Sequence, residues 1–275
     1  MPMEEQTVKQ CCATFYGSDF ARMLLGDSFH PGGVGLTRRL GELLALTWES
    51  HVLDVASGRG TSAFHLAESF GCKVTGVDLS QENVDRANQE SESRGLAGKV
   101  GFVRGDAERL PFDDSEFDAI VCECAFCTFP SKQVAASEFY RVLKPDGQVA
   151  LSDLTRTELP LPELEGVLAW IACIGDALPE SQYVAILIKA GFSAPRTEDH
   201  SDALVEMVRQ VQARLLAAEV MAGLKKIDLP GVDFTTGRKF AQAAMQATTD
   251  RALGYVVISA KKPQSRRVRR YVGER

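Results

Sequence analysis

Three acidic residues, a loop of small residues and two groups of cysteines carry the chemistry this sequence can perform. In Val52-Leu53-Asp54-Val55-Ala56-Ser57-Gly58-Arg59-Gly60-Thr61, an apolar run meets a loop containing two glycines. One helix-length later, Val74-Thr75-Gly76-Val77-Asp78 closes a second apolar run on another carboxylate. Small residues let the backbone approach a ligand closely and turn into a helix whose first amides face that ligand. A carboxylate in the place of Asp78 can accept both hydroxyls of a ribose. It could equally be a helix N-cap, a role Ser80 can also fill. A third run leads to Gly105-Asp106-Ala107-Glu108, where an Asp and a backbone amide can read the amino group and ring nitrogen of adenine. The pattern is that of a nucleotide-like ligand lying across strand ends. A dinucleotide fingerprint would place a third glycine where Thr61, Ser62 and Ala63 stand. Asp54 is also a poor neighbour for a pyrophosphate, so the expected companion of Asp54 is a positively charged ligand group.

The sulfur-bearing residues offer a second chemistry. Cys122-Glu123-Cys124-Ala125-Phe126-Cys127 falls at the end of a fourth apolar run, and Cys173 sits in Trp170-Ile171-Ala172-Cys173-Ile174-Gly175-Asp176-Ala177-Leu178. Side chains 122 and 124 share a face if the strand continues that far. Thiolates are soft donors for soft metal or metalloid centres, but a free cysteine is also a small core hydrophobe. Cys72 is read as the latter. Zinc is disfavoured, because no Cys-x-x-Cys pair is matched by a second pair and His is scarce.

The elements that position these residues follow from periodicity. Strands are predicted at 51–55, 73–77, 99–103, 118–123, 147–153, 193–198 and 253–260. Helices are predicted at 61–70, 81–94 and 132–142, then at 161–174, 181–190, 202–226 and 236–249. Asn83, Asp85 and Arg86 are assigned to a solvated helix face, with Val84 and Ala87 inward. Arg141–Gly147 reads as a helix end followed by a tight Asp-Gly bend. Short strands alternating with helices give an α/β fold, a mostly parallel seven-stranded sheet with helices on both faces. The expected organisation is an N-terminal helical lid (1–48), a ligand-binding core (49–198 and 252–262), a helical insertion (199–251) and a basic tail (263–275). Leu204, Met207, Val208, Val211, Leu215 and Val220 recur at helical spacing in the insertion. It would cap an apolar substrate, or pack on itself or on a dimer partner.

Composition narrows the function classes. A net charge of −6 argues against nucleic acid as a partner. No apolar run approaches the ~18 residues of a membrane span. Met1–Gln10 lacks an apolar signal core, and an odd number of cysteines, seven, points to reduced thiols in a cytoplasmic setting.

Together these segments (VLDVASGRG, VTGVD, GDAERLPF, FDAIVCECAF and RVLKPDG) resemble the Rossmann-like class I S-adenosylmethionine (SAM)-dependent methyltransferases over about residues 50–155. The resemblance implies that Asp54, Ala56, Ser57, Gly58 and Gly60 hold the methionine part of SAM and Asp78 with Leu79 the ribose. Asp106 with Ala107 would hold the adenine, and Glu123 would lie near the methyl donor. Tyr16 looks like an aromatic that covers the sulfonium, and Gly35 or His30 would reach the SAM carboxylate from the lid. The segments around Cys124 and Cys173 are similar to those of the arsenite methyltransferases. That likeness implies trivalent arsenic bound by Cys124, Cys173 and, more loosely aligned, Cys12, with a thiol-bound arsenical as methyl acceptor. Two alternatives stand beside it. One is a C-, N- or O-methyltransferase of quinols, sterol-like molecules or natural products, with Glu123, His30, Asp153 or Tyr16 as base. The other is a non-catalytic SAM-binding or metalloid-sensing protein.

Overall fold

The computed structural model describes residues 19–26, 29–157, 161–225 and 232–264. Its seven-stranded sheet comprises β1 (His51–Val55), β2 (Lys73–Asp78), β3 (Val100–Arg104), β4 (Phe117–Glu123), β5 (Leu143–Arg156), β6 (Ser193–Asp199) and β7 (Leu253–Lys261). The strand order is β3-β2-β1-β4-β5-β7-β6. All pairings are parallel except those of β7, which runs antiparallel to β5 and β6. β1 and β4 are buried almost throughout, as strands covered on both faces must be. Helices α3 (Thr61–Phe70), α4 (Gln81–Ser93) and α5 (Lys132–Val142) make the crossovers. The chain winds outward from β1 in one direction through β2 and β3, then returns to place β4 on its other side. At such a switch point, ligands bind beyond the carboxyl ends of the strands. Asp54, Asp78, Gly105 and Glu123 all stand at that edge.

α3 opens at Gly60 and closes at Gly71, both with left-handed backbone (φ 85° and 70°). α4 is capped by Ser80, whose hydroxyl accepts from the Asn83 amide at 3.3 Å. Three expectations are corrected. Asn83 is buried, not solvated. β5 begins directly at Leu143, and Pro145-Asp146-Gly147 forms an irregularity inside the strand, where the pairing with β4 shifts register. The helix expected at 161–174 is reduced to α6 (Gly166–Ile171), followed by α7 (Glu180–Ala190).

Between β6 and β7 the chain leaves the sheet as an antiparallel hairpin of α8 (Ser201–Gly223) and α9 (Phe234–Thr249). Gln212 Nε2 donates to the Ala241 carbonyl at 3.0 Å, and Leu215 faces Gly237, which fixes the register of the pair. Before the core, α1 (Asp19–Leu25) packs on α8, where Arg214 Nη1 donates to the Leu24 carbonyl at 3.0 Å. α2 (Gly33–Leu43) packs on α3, and Arg39 Nη2 bonds Glu198 Oε1 at 2.6 Å. Among the described residues no helix is long and apolar enough to cross a membrane.

Candidate active site

The loop after β1 is built from three left-handed residues, Ala56, Gly58 and Gly60 (φ 58°, 55° and 85°). The Ser57 amide donates to the Val77 carbonyl at 3.1 Å and ties the loop to β2. A Cβ on Gly60 would lie 2.4 Å from the Phe102 ring, and one on Gly76 would lie 2.3 Å from it. The loop therefore sits down on β2 and β3 only because both positions lack a side chain. Asp78 holds the loop from the next strand: its Oδ2 accepts from the Gly58 amide at 2.8 Å. Its Oδ1 accepts from the Ser80 amide at 2.9 Å and from Asn83 Nδ2 at 3.2 Å. Burial raises the Asp78 pKa, and those three donors moderate the rise.

Asp54 lies at the base of this cleft, fully buried. Burial first, then the Glu123 and Asp78 carboxylates, push its pKa well above the usual range. Its Oδ2 and the Ser57 hydroxyl are buried with no hydrogen-bond partner among the described residues. Buried polar atoms are satisfied in native proteins, so these two mark where a ligand supplies partners. An acid destabilised by burial and by two other acids is suited to a cationic ligand. The surrounding cavity, about 880 Å³, takes in Ala56, Ser57, Gly58, Asp78, Leu79, Gly105, Asp106 and Ala107. Its chemistry fits SAM: a carboxylate with one oxygen left for a cation, a strand-end carboxylate for hydroxyls, and an Asp-Ala turn for a base edge.

Glu123 terminates β4 at the inner end of this cavity. Its two oxygens accept from Thr37 Oγ1 at 3.2 and 3.0 Å, and His30 Nδ1 lies 3.6 Å from Oε1. α2, through Thr37, and His30 just before it are thereby held against the end of β4. The strand stops there because Cys124 is left-handed (φ 52°), so Cys122 and Cys124 do not share a strand face as expected. Cys122 is buried within the sheet core, and Cys124 opens onto the cavity.

Cys173 is left-handed too (φ 61°), and its thiol donates to the Cys124 carbonyl at 3.3 Å. The loop carrying it is fixed by an ion pair between Asp176 and the buried Lys132. The two cysteines singled out in the sequence thus converge. Behind them Asp153 accepts from the Cys127 and Leu154 amides, both at 2.8 Å, and burial, then Cys173, push its pKa up to about 7. The neighbouring Cys173 thiol, then burial, raise the pKa of Cys124; burial leads for Cys122 and Cys127. These are neutral thiols, and among the described residues no group of three His, Cys, Asp or Glu is placed to hold a metal ion. Because the thiolate is the reactive form, iodoacetamide at neutral pH is expected to label Cys122, Cys124 and Cys127 at least ~10-fold more slowly than in the unfolded chain. Peptide mass mapping checks this; labelling at the unfolded rate would contradict it.

A second cavity of about 500 Å³ adjoins the first, and Cys124 and Phe29 line both. Its walls are α1, α6, the Cys173 loop and the facing sides of α8 and α9. Among the described residues that line it, Asp233, the N-cap of α9, is the only charged one.

Most of the residues singled out in the sequence meet at these two cavities. Gly60 supports the loop from beneath and is not part of the wall. Gly35 is a correction: it lies on the exposed side of α2, and His30 and Val34 line the cavity in its place. Tyr16 and Cys12 lie outside the described residues. Sequence reasoning missed Thr37, Asn83 and Phe129; the Ser80-x-x-Asn83 cap spacing was the one available signal for Asn83.

Residues 53–151 match a family described as "Methyltransferase domain". A sterol 24-C-methyltransferase from Eremothecium gossypii is 31% identical over 190 residues, 66% of this chain and 51% of that protein. The 27-O-demethylrifamycin SV methyltransferase of Amycolatopsis mediterranei is 28% identical over 90% of this chain and 94% of its own length. The match spans only about half the length of some curated relatives, the sterol enzyme among them. Among solved structures, the [4+2]-cyclase SpnF superposes with a TM-score of 0.74 at 22% identity, covering 96% of this chain and 97% of that one, a likeness of fold. Strand order and the family match agree on a Rossmann-like methyltransferase domain, of the class I, SAM-dependent type, over residues 53–151.

Proposed function

We propose that this chain is a methyltransferase that transfers the methyl group of SAM to an apolar small molecule. The observation that carries this is the meeting of the two cavities at Cys124 and Phe29, one rich in carboxylates and the other almost wholly apolar. SAM, when bound, supplies an electrophilic methyl group on a sulfonium. Asp54, Ser57 and Gly58 hold its cationic methionine end, Asp78 and Leu79 the ribose, and Asp106 with Ala107 the adenine. Glu123, anchored by Thr37 and beside His30, lines the cofactor cavity next to Cys124 and, in this reading, takes a proton from an acceptor hydroxyl. The apolar walls exclude water from the nucleophile, so it reaches the junction desolvated and oriented. In this reading residues 1–48 act as a lid and 199–251 as a cap over the acceptor. The curated relatives named above are sterol and rifamycin enzymes, in keeping with such an acceptor.

The convergence of Cys124 and Cys173 favours a second reading, a thiol-bound arsenical as acceptor. One assay separates the two: S-adenosylhomocysteine formation from SAM with a panel of sterols, phenols and quinols, against arsenite with a thiol. Apolar acceptors are expected to drive turnover, and Cys124→Ser and Cys173→Ser to retain it. Turnover on arsenite alone, lost in either serine variant, overturns the first reading in favour of the second. No turnover with any acceptor, SAM still binding, makes the chain a non-catalytic SAM binder.

A further inference from the structure

The acceptor cavity has a direction. Cys124, Leu154 and Leu253 close it at the carboxyl ends of the strands, next to the cofactor cavity. From there it runs out between α8 and α9, whose register places Leu204 near Thr248 at the sheet end and Leu215 against Gly237 at the far end. The α9 side of the wall carries Thr248 nearest the sheet, then the small residues Ala244, Ala241 and Gly237 at successive depths, with Phe240 beside Ala241. At 1.5 Å per residue, Ala241 lies ~4.5 Å and Gly237 ~10 Å beyond Ala244 along the helix. At the outer end Asp233 accepts from the Thr236 amide and hydroxyl, and no cationic residue stands among the described lining.

Resting on the reading of this cavity as the acceptor site, we infer that the acceptor is an elongated apolar molecule without an anionic group. Its reacting end lies at Cys124 and its tail along α9, and Ala244, Ala241 and Gly237 set how long that tail can be. A cationless apolar tunnel ending at a carboxylate rejects phosphates and carboxylates, whose charge would be stripped of water without a partner. The row Ala244, Ala241 and Gly237 is small, while Met207, Val211 and Leu215 on α8 and Phe240 on α9 supply the bulk of the lining.

The test is binding of 4-alkylphenols from propyl to dodecyl, and of alkanoates of matching length, to the S-adenosylhomocysteine-loaded protein. Wild type is expected to gain roughly fourfold in affinity per added methylene until the tail fills the tunnel, and to bind the alkanoates much more weakly. Ala244→Leu should stop that gain at the shortest tail, Ala241→Leu at an intermediate one and Gly237→Leu at the longest. Leu215→Ala should extend the limit, and it keeps the test alive if a bulkier variant fails to fold. A limit that does not follow this order, affinity independent of tail length, or alkanoates binding as well as phenols overturns the inference. Binding that shows the ladder without methyl transfer leaves the inference standing and removes the proposed activity; methyl transfer without the ladder does the reverse.

Discussion

Replacing Asp78 with alanine is expected to weaken SAM binding by at least ~100-fold, about 2.7 kcal/mol. The carboxylate does two things that the variant loses together. It organises the cleft, through the Gly58, Ser80 and Asn83 donors. It also presents an acceptor pair at the strand end where ribose hydroxyls would lie, and a buried charged acceptor is worth more per bond than a neutral one. Asp78→Asn separates the two effects: it keeps one oxygen and the volume, so it should retain more of the loop order than of the affinity. Asn83→Ala removes only one of the three donors and should cost far less. Calorimetric titration with SAM reads all three variants; an Asp78→Ala protein that binds as wild type does would remove Asp78 from the cofactor site.

Asp54→Asn is expected to stabilise the free protein while weakening SAM binding by more than tenfold. The folded chain holds a proton on Asp54 that the unfolded chain releases above pH ~4. A carboxyl group raised in this way lowers stability progressively as pH increases from the unfolded value towards the folded one. Asparagine fills the same space with no charge to bury, so its benefit is absent in acid and grows through neutrality. The gain reads out as a higher Tm, each kcal/mol being worth roughly 2–4 °C. Part of the pH slope will survive, because Asp153, pushed up to about 7, acts in the same direction. In wild type a bound cation reverses the effect: it favours the ionised carboxylate, so SAM binding should release protons and tighten as pH rises. Melting curves across pH, with and without SAM, check both halves. A variant less stable than wild type at every pH would show that Asp54 supports the fold and is not held in reserve for a ligand.

Much of this was legible in the sequence because it depended on local pattern. Alternating apolar runs and helices fixed the central strands to within a residue or two, and the acidic residues closing two of those runs located the cleft. What escaped reading depended on contacts between distant segments. Asn83 is itself polar and follows Gln81 and Glu82, so its residue type says solvent; the Asp78 carboxylate, one strand end away, gives its side chain a partner and makes burial favourable. Thr37 reaches Glu123 across 86 positions of chain, a pairing no window contains. Pro145-Asp146-Gly147 has the composition of a turn, but β4 on one side and the Lys262 carbonyl accepting from the Asp146 amide on the other hold it in the sheet. The stripe from Leu204 to Leu215 was visible as a helix face. A stripe does not reveal whether it meets another helix or an open space, and here it does both. The cysteine pattern was read correctly as a convergence of Cys124 and Cys173. Spacing does not show that these cysteines lie against an apolar cavity, and the sterol and rifamycin relatives fit the alternative of a small-molecule acceptor better than arsenic.

The most direct test places the methyl group itself. With SAM carrying a ¹³C-labelled methyl bound to the wild-type protein, isotope-filtered NOEs are expected from that methyl to Phe29, Glu123 and Cys124, where the cofactor and acceptor cavities join. NOEs confined to residues remote from that junction, or no bound SAM signal, would contradict the arrangement on which the proposed transfer depends.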